Sequence, residues 1–246
     1  MSFIYNGRSS DDFGLIVEQY PPRPFPSRKS DVYSIPGRSG DLIVEQDAFT
    51  NYIQPYEVYI SPGSIGMQRR AALIARWLLG SSGYNRLIDE YDPTVYRDAR
   101  FMGGISFLNA LNKFGRATIE FDCKPQRWII DAEVLTGVIG DTFTIPTIEG
   151  AMPGKPMITI NDFVAGASAT IETDTLRIVI PGQEALKRSI YIDFETKTIT
   201  ALPRTLQFVS ITGEWDALGD GAKIYTTLDT GELEPRVTIQ PRRFFL

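Results

Sequence analysis

Two stretches of the chain concentrate residue types that bind anions or move protons. In Ile35-Pro36-Gly37-Arg38-Ser39-Gly40-Asp41-Leu42, two glycines and a proline let the backbone turn sharply. Arg38 adds a guanidinium, and together these could cradle an anion. The same composition suits a plain turn feeding a strand, or a turn gripped by another subunit. The loop has neither Walker A spacing nor a GxGxxG pattern, so no nucleotide is expected there. Asp89-Glu90 with Asp92 is the densest acidic group, beside Tyr84, Tyr91 and Tyr96. Paired carboxylates serve a β-sandwich glycosidase, but local spacing does not set the separation that chemistry needs, and a solvated loop rim is the plainer reading. Asp216, Asp220 and Asp229 do not fit one twelve-residue EF-hand loop. No catalytic residue, cofactor or metal is expected.

The 246 residues contain no histidine, and Cys123 is the only cysteine. That removes Ser-His-Asp triads, Cys-His dyads, Cys/His zinc sites and intrachain disulfides. Hydrophobic residues at 43% and charged residues at 22% describe an ordinary globular chain, and its length suggests two domains. The net charge of −5 lies in the second half: residues 1–130 hold 15 Lys+Arg against 14 Asp+Glu, residues 131–246 hold 10 against 16. Neither half is basic enough for affinity driven by phosphate neutralisation, so no specific nucleic-acid binding is expected. No run approaches the roughly 20 apolar residues of a membrane span, so no membrane insertion is expected. The opening Met1-Ser2-Phe3-Ile4-Tyr5-Asn6-Gly7 lacks the pattern of a secretory signal, so the expectation is a chain made and kept in a cytoplasm.

The elements that must position these residues are mostly strands. Short alternating or β-branched runs, punctuated by Gly, Pro, Asn and Asp, predict strands over 13–18, 42–45, 56–60, 117–121, 157–160, 175–180, 189–194, 205–211 and 236–240. One segment differs: Met67, Ala71, Ile74, Trp77 and Leu78 share a face at helical period and predict an α-helix from Met67 to Leu79. Ser64 can cap its start and Gly80 can stop it. The helix covers a sheet, and Arg69, Arg70 and Arg76 form an exposed face that could meet a partner. Gln19 to Lys29, with Pro21, Pro22, Pro24 and Pro26, is an extended arm or an edge crossing. Residues 145–156 read as a connector or loop, Trp77 and Trp128 as packing residues, and Trp215 as a tucked plug. A domain boundary falls after the strand through Cys123 and the following Lys124-Pro125-Gln126-Arg127-Trp128. The fold class is therefore mostly β, with two domains: 1–130, a β-sheet with one packed α-helix, and 131–246, a β-sandwich.

Several landmarks in order resemble the distal tail protein (Dit) family of long-tailed (siphovirus) phages of Gram-positive bacteria. They are Phe3-Ile4-Tyr5-Asn6-Gly7 with Asp12-Phe13-Gly14-Leu15; the loop Ile35 to Leu42; Trp77-Leu78-Leu79-Gly80 with Leu87-Ile88 and Tyr96-Arg97-Asp98-Ala99-Arg100-Phe101. Further on come Gly115 to Cys123 running into Lys124-Pro125, Ile190-Tyr191-Ile192-Asp193-Phe194-Glu195-Thr196, the loop Gly213 to Gly221, and a last strand closing on Pro241-Arg242-Arg243. Each motif alone is weak, while their order and spacing cover nearly the whole chain.

The resemblance implies a C-terminal galectin-like β-sandwich and a non-enzymatic structural hub in the virion tail, assembled in the host cytoplasm. It implies a homo-hexamer whose ring forms through the N-terminal domains. The ring would join the tail tube protein to tail-tip or baseplate proteins, such as a tail-associated lysin or a receptor-binding protein, that serve host adsorption. Ring closure needs a head-to-tail interface, and free strand edges suit it. The candidate interface residues are Pro21, Pro24 and Phe25 in the arm, and Pro36, Gly37, Arg38, Gly40 and Asp41 in the loop. Two other functions compete: a carbohydrate-binding β-sandwich module, which a row of exposed aromatics would mark, and a β-sandwich glycosidase.

Overall fold

The computed structural model of the chain describes residues 1–60, 66–103, 108–110, 114–130, 134–163, 166–182, 188–202, 209–229 and 235–246. The chain divides into two compact units, Met1–Ile130 together with Leu246, and Asp131–Phe245.

The first unit holds β1 (Phe3–Tyr5), β2 (Arg8–Ser9), β3 (Leu15–Val17), β4 (Arg28–Tyr33), β5 (Leu42–Phe49), β6 (Tyr52–Ile60), the helix α1 (Met67–Leu79), β7 (Asn85–Asp89), β8 (Val95–Phe101), β9 (Leu108–Ala110) and β10 (Phe114–Ile129). Its main sheet runs β2-β1-β7-β8-β10-β6-β3, with β9 also on β10. Strands β4 and β5 form a separate two-stranded sheet. Asn6 and Gly7, both at positive φ, make the two-residue turn from β1 to β2. In β6, Tyr52, Gln54, Tyr56, Val58 and Ile60 alternate inward, as a half-buried strand requires. Tyr52, Tyr56, Val58 and Ile60 meet Phe3, Tyr5, Leu15, Ile119 and Phe121 in one core, on which α1 lays Met67, Ile74, Trp77 and Leu78. Trp77 stacks on Phe13 at 4.3 Å, and its indole N–H donates to the Tyr5 carbonyl at 3.1 Å.

The helix spans the predicted residues, Met67 to Leu79, and the residue at its N-cap is a glycine. Ser64 lies outside the described residues, and the N-cap is Gly66, which offers no side-chain cap. The predicted strand over 13–18 shortens to β3, because Ser10–Phe13 is a 3-10 turn capped by the Ser9 hydroxyl and ended by left-handed Gly14. Strand β10 extends past both ends of the predicted 117–121 and continues through Pro125. Its register against β8 shifts between Cys123 and Arg127, a bulge that absorbs a residue lacking an N–H.

The second unit holds β11 (Leu135–Val138), β12 (Thr142–Thr144), β13 (Met157–Phe163), β14 (Ala169–Glu172), β15 (Leu176–Ile180), β16 (Arg188–Asp193), β17 (Thr198–Leu202), β18 (Ser210–Gly213), β19 (Lys223–Leu228) and β20 (Arg236–Gln240). They make two five-stranded antiparallel sheets, β11-β20-β13-β16-β17 and β12-β19-β14-β15-β18. Ile158, Ile160, Ile190, Ile192 and Ile239 of one sheet pack against Ile171, Ile178, Ile180 and Ile224 of the other, so the unit is a β-sandwich. Residues 205–208 of the predicted strand over 205–211 lie outside the described residues. The segment 145–156 is held by Arg243. That side chain is 1% exposed and donates to the carbonyls of Met152, Ala151 and Pro146 at 2.8, 3.0 and 3.3 Å. A Cβ on Gly154 would strike the Pro241 and Arg242 carbonyl oxygens, so only glycine lets these two segments approach. Trp215 packs edge-on to Phe194 at 5.1 Å.

Candidate subunit interface

The loop Ile35 to Leu42 is the tip of the β4–β5 hairpin. Pro36-Gly37 has the order of a type II turn: Gly37 sits at φ 81°, and the Arg38 N–H donates to the Ile35 carbonyl at 3.1 Å. Gly40 follows at φ 84°. A Cβ at either glycine would meet only open space, so backbone conformation and not crowding requires them. Pro36, Arg38 and Asp41 are exposed, and the Arg38 guanidinium has no partner among the described residues.

Below the tip, both faces of the hairpin are apolar and exposed. Val32 lies opposite Ile43 on one face, and Tyr33 opposite Leu42 on the other. Val32, Tyr33 and Ile43 are 59%, 54% and 60% exposed. Polar pairs hold the strands together nearer the base: Gln46 donates to Asp31 at 2.8 Å, and Arg28 meets Glu45 at 3.5 Å. The Thr50 N–H donates to the Ser27 carbonyl at 2.8 Å and closes the base. The apolar pairs were missed in the sequence because Arg28-Lys29-Ser30-Asp31 shows no alternation. The available signal was Val32-Tyr33 and Leu42-Ile43 flanking a Pro-Gly turn.

The proline arm is pinned to its own unit. The buried Arg127 donates to the Pro24 carbonyl at 2.6 Å and stands over the Phe25 ring at 5.4 Å, while the buried Gln54 donates to the Pro22 carbonyl at 3.0 Å. Pro21 and Pro24 are half-buried, and Phe25 is exposed. The arm therefore sets where the hairpin departs from the sheet.

On α1, Arg69 and Arg76 are exposed, but Arg70 is half-buried with its Nε enclosed. The expected exposed face thus has Arg70 only half-buried, because the residue lies with Leu73 and Trp77 along one side of the helix.

The acidic group is engaged in holding strands together. Asp89 is buried, pairs with Arg97 at 2.9 Å and accepts from the Tyr56 hydroxyl at 2.8 Å. Burial and then the Asp89 charge push the Tyr56 hydroxyl well above its ordinary pKa. Glu90 accepts from the Ser2 hydroxyl and N–H, and these bonds hold its carboxyl below the usual range. Asp220 pairs with Arg243 at 2.7 Å, and Asp229 accepts from Ser168 at 3.0 Å.

No family model matches the chain, and no curated protein matches its sequence. Among solved structures, the chain is similar to the crystal structure of the SPP1 phage Dit protein (gp 19.1), described as a paradigm of the hub adsorption apparatus in phages infecting Gram-positive bacteria. The two agree with a TM-score of 0.70 at 14% identity, over 99% of this chain and 98% of that one. The chain thus has a Dit-like fold.

Proposed function

We propose that the chain is a non-enzymatic structural hub of a phage tail. Six copies close into a ring through the unit Met1–Ile130 and join the tail tube to the tail-tip or baseplate apparatus for host adsorption. The unit Asp131–Phe245 is a galectin-like sandwich. Assembly takes place in the host cytoplasm.

The observation that carries this reading is the β4–β5 hairpin on a Dit-like fold. A two-stranded hairpin is marginal in water on its own, and this one exposes apolar side chains on both faces. A neighbouring copy that covers Val32, Tyr33, Leu42 and Ile43 removes that cost, and a free strand edge offers N–H and C=O groups for pairing. The resulting contact is head-to-tail and closes when its rotation divides the circle. Each such contact is expected to bury roughly 1,600 Å² or more. Arg38, without a side-chain partner among the described residues, then meets a carboxylate or carbonyl of the next copy.

No comparable observation favours the carbohydrate-binding reading. Among the described residues of the second unit, Tyr225 is the exposed aromatic side chain, and one ring is not the row that a glycan face needs. Electron microscopy of the purified protein tests the ring: six-fold annular particles support the reading, and fields of single compact particles at every concentration contradict it.

A further inference from the structure

The helix α1, the strand β2 and the 3-10 turn that follows it border a half-open cavity of about 450 Å³ in the first unit. Three arginines line it. Arg70 and Arg76 come from α1, and Arg8 comes from β2, its guanidinium 4.6 Å above the Phe13 ring. The floor is the stacked pair Phe13 and Trp77, and Leu73, 42% exposed, adds an apolar wall. Asp12 is the single carboxylate in the lining. Among the described residues, no carboxylate pairs with Arg8, Arg70 or Arg76, and the Arg70 Nε is buried without a hydrogen-bond partner.

Three guanidinium groups around one concavity repel each other and leave a buried donor unsatisfied, which costs stability unless an acceptor arrives. We propose that this cavity is a socket for a carboxylate side chain, flanked by an apolar residue, on a partner polypeptide. A guanidinium fork matches a carboxylate through two parallel hydrogen bonds. The Phe13–Trp77 floor and Leu73 take the apolar neighbour, and arginine with aromatic residues is the usual make-up of a protein-interface anchor. The cavity is larger than one carboxylate needs and lies in the range of small-ligand pockets, so it holds two adjacent side chains. Asp12 selects against a phosphate dianion, whose second charge it repels, and it can accept from an N–H of the incoming segment. The socket does not depend on ring formation, since all its lining comes from one chain.

The test is fluorescence polarisation with the full chain at constant ionic strength, using a fluorescein-labelled peptide Gly-Leu-Glu-Phe-Glu-Gly as the probe. Saturable binding is expected. Both Arg70→Gln and Arg76→Gln weaken it at least tenfold, while Arg177→Gln in the second unit leaves it unchanged. Arg76 is exposed, so its variant keeps the test sound if Arg70→Gln unfolds the protein. Absence of saturable binding overturns the proposal. So does equal binding by the peptide with both glutamates replaced by glutamine. Competition by inorganic phosphate or a dodecathymidylate as strong as that by unlabelled peptide also overturns it, and assigns the socket to phosphoryl groups.

Discussion

The guanidinium of Arg97 and the carboxylate of Asp89 meet at 2.9 Å, with the two side chains 3% and 2% exposed. The Tyr56 hydroxyl donates to the same Asp89 oxygen at 2.8 Å. Burial opposes the Arg97 charge, but Tyr56 and Asp89 outweigh it and raise the guanidinium above its ordinary pKa. In the sequence Asp89 leads the acidic group that most resembled a pair of catalytic carboxylates. In the fold it ties β7 to β8 and β6.

Removing one partner of this pair leaves the other charged and buried. Asp89→Ala is therefore expected to destabilise the first unit by about 3–5 kcal/mol. Glu90→Gln, at an exposed carboxylate bound to Ser2, should cost about 1 kcal/mol or less. Denaturant unfolding of both variants measures the difference, and equal losses would contradict the assigned role of Asp89.

The Asp193 carboxylate lies below its ordinary pKa. Burial pushes it up, but bonds from Arg242 at 2.8 Å and from the Glu195 and Thr196 N–H groups outweigh that. A lowered folded pKa means the stabilisation is present above the unfolded value of about 3.9 and is lost as pH falls through the folded value. Wild type should exceed Asp193→Asn by about 1 kcal/mol at pH 6, and the gap should close below about pH 4. A gap that does not change with pH across melting curves would contradict this.

Cys123 is fully buried, and burial pushes its thiol up to about 12. Since the thiolate is the reactive form, a maleimide at pH 7 should leave the native protein unlabelled and label one thiol in denaturant. Mass spectrometry reads both states; rapid labelling of the native protein would show that β10 opens.

How much could be read in advance depended on whether a residue's role is local. The α1 helix and β20 were legible with their observed ends, because an amphipathic face and an alternating run carry their own period. The β4 strand was not, since Arg28 to Asp31 are polar and exposed throughout, and pairing with β5 alone makes them a strand. The turn at Pro36-Gly37 was legible from its residue types, but the apolar pairs beneath it depend on hairpin register. Asp89 and Arg97 are eight residues apart, and only the β7–β8 register, which sets Leu87 opposite Arg97, places them diagonally adjacent. Arg8 joins Arg70 and Arg76 through tertiary packing that no local pattern records.

The hairpin faces can be changed without touching the core. The double substitution Val32→Ser with Ile43→Ser removes one exposed apolar pair, and Arg38→Ala removes the exposed guanidinium at the tip. Each should weaken ring formation at least tenfold while shifting unfolding free energy by no more than about 0.5 kcal/mol, the usual range for surface changes. Gly40→Val should also impair assembly, through strain at φ 84°. Parallel losses of assembly and melting temperature would assign the hairpin to the fold instead.

The solution mass of the purified chain tests the hub account most directly. Light scattering across rising concentrations should approach six times the 27.5 kDa monomer mass, and the Val32→Ser, Ile43→Ser variant should stay near one. A wild-type protein that remains a monomer at its highest soluble concentration would contradict the account.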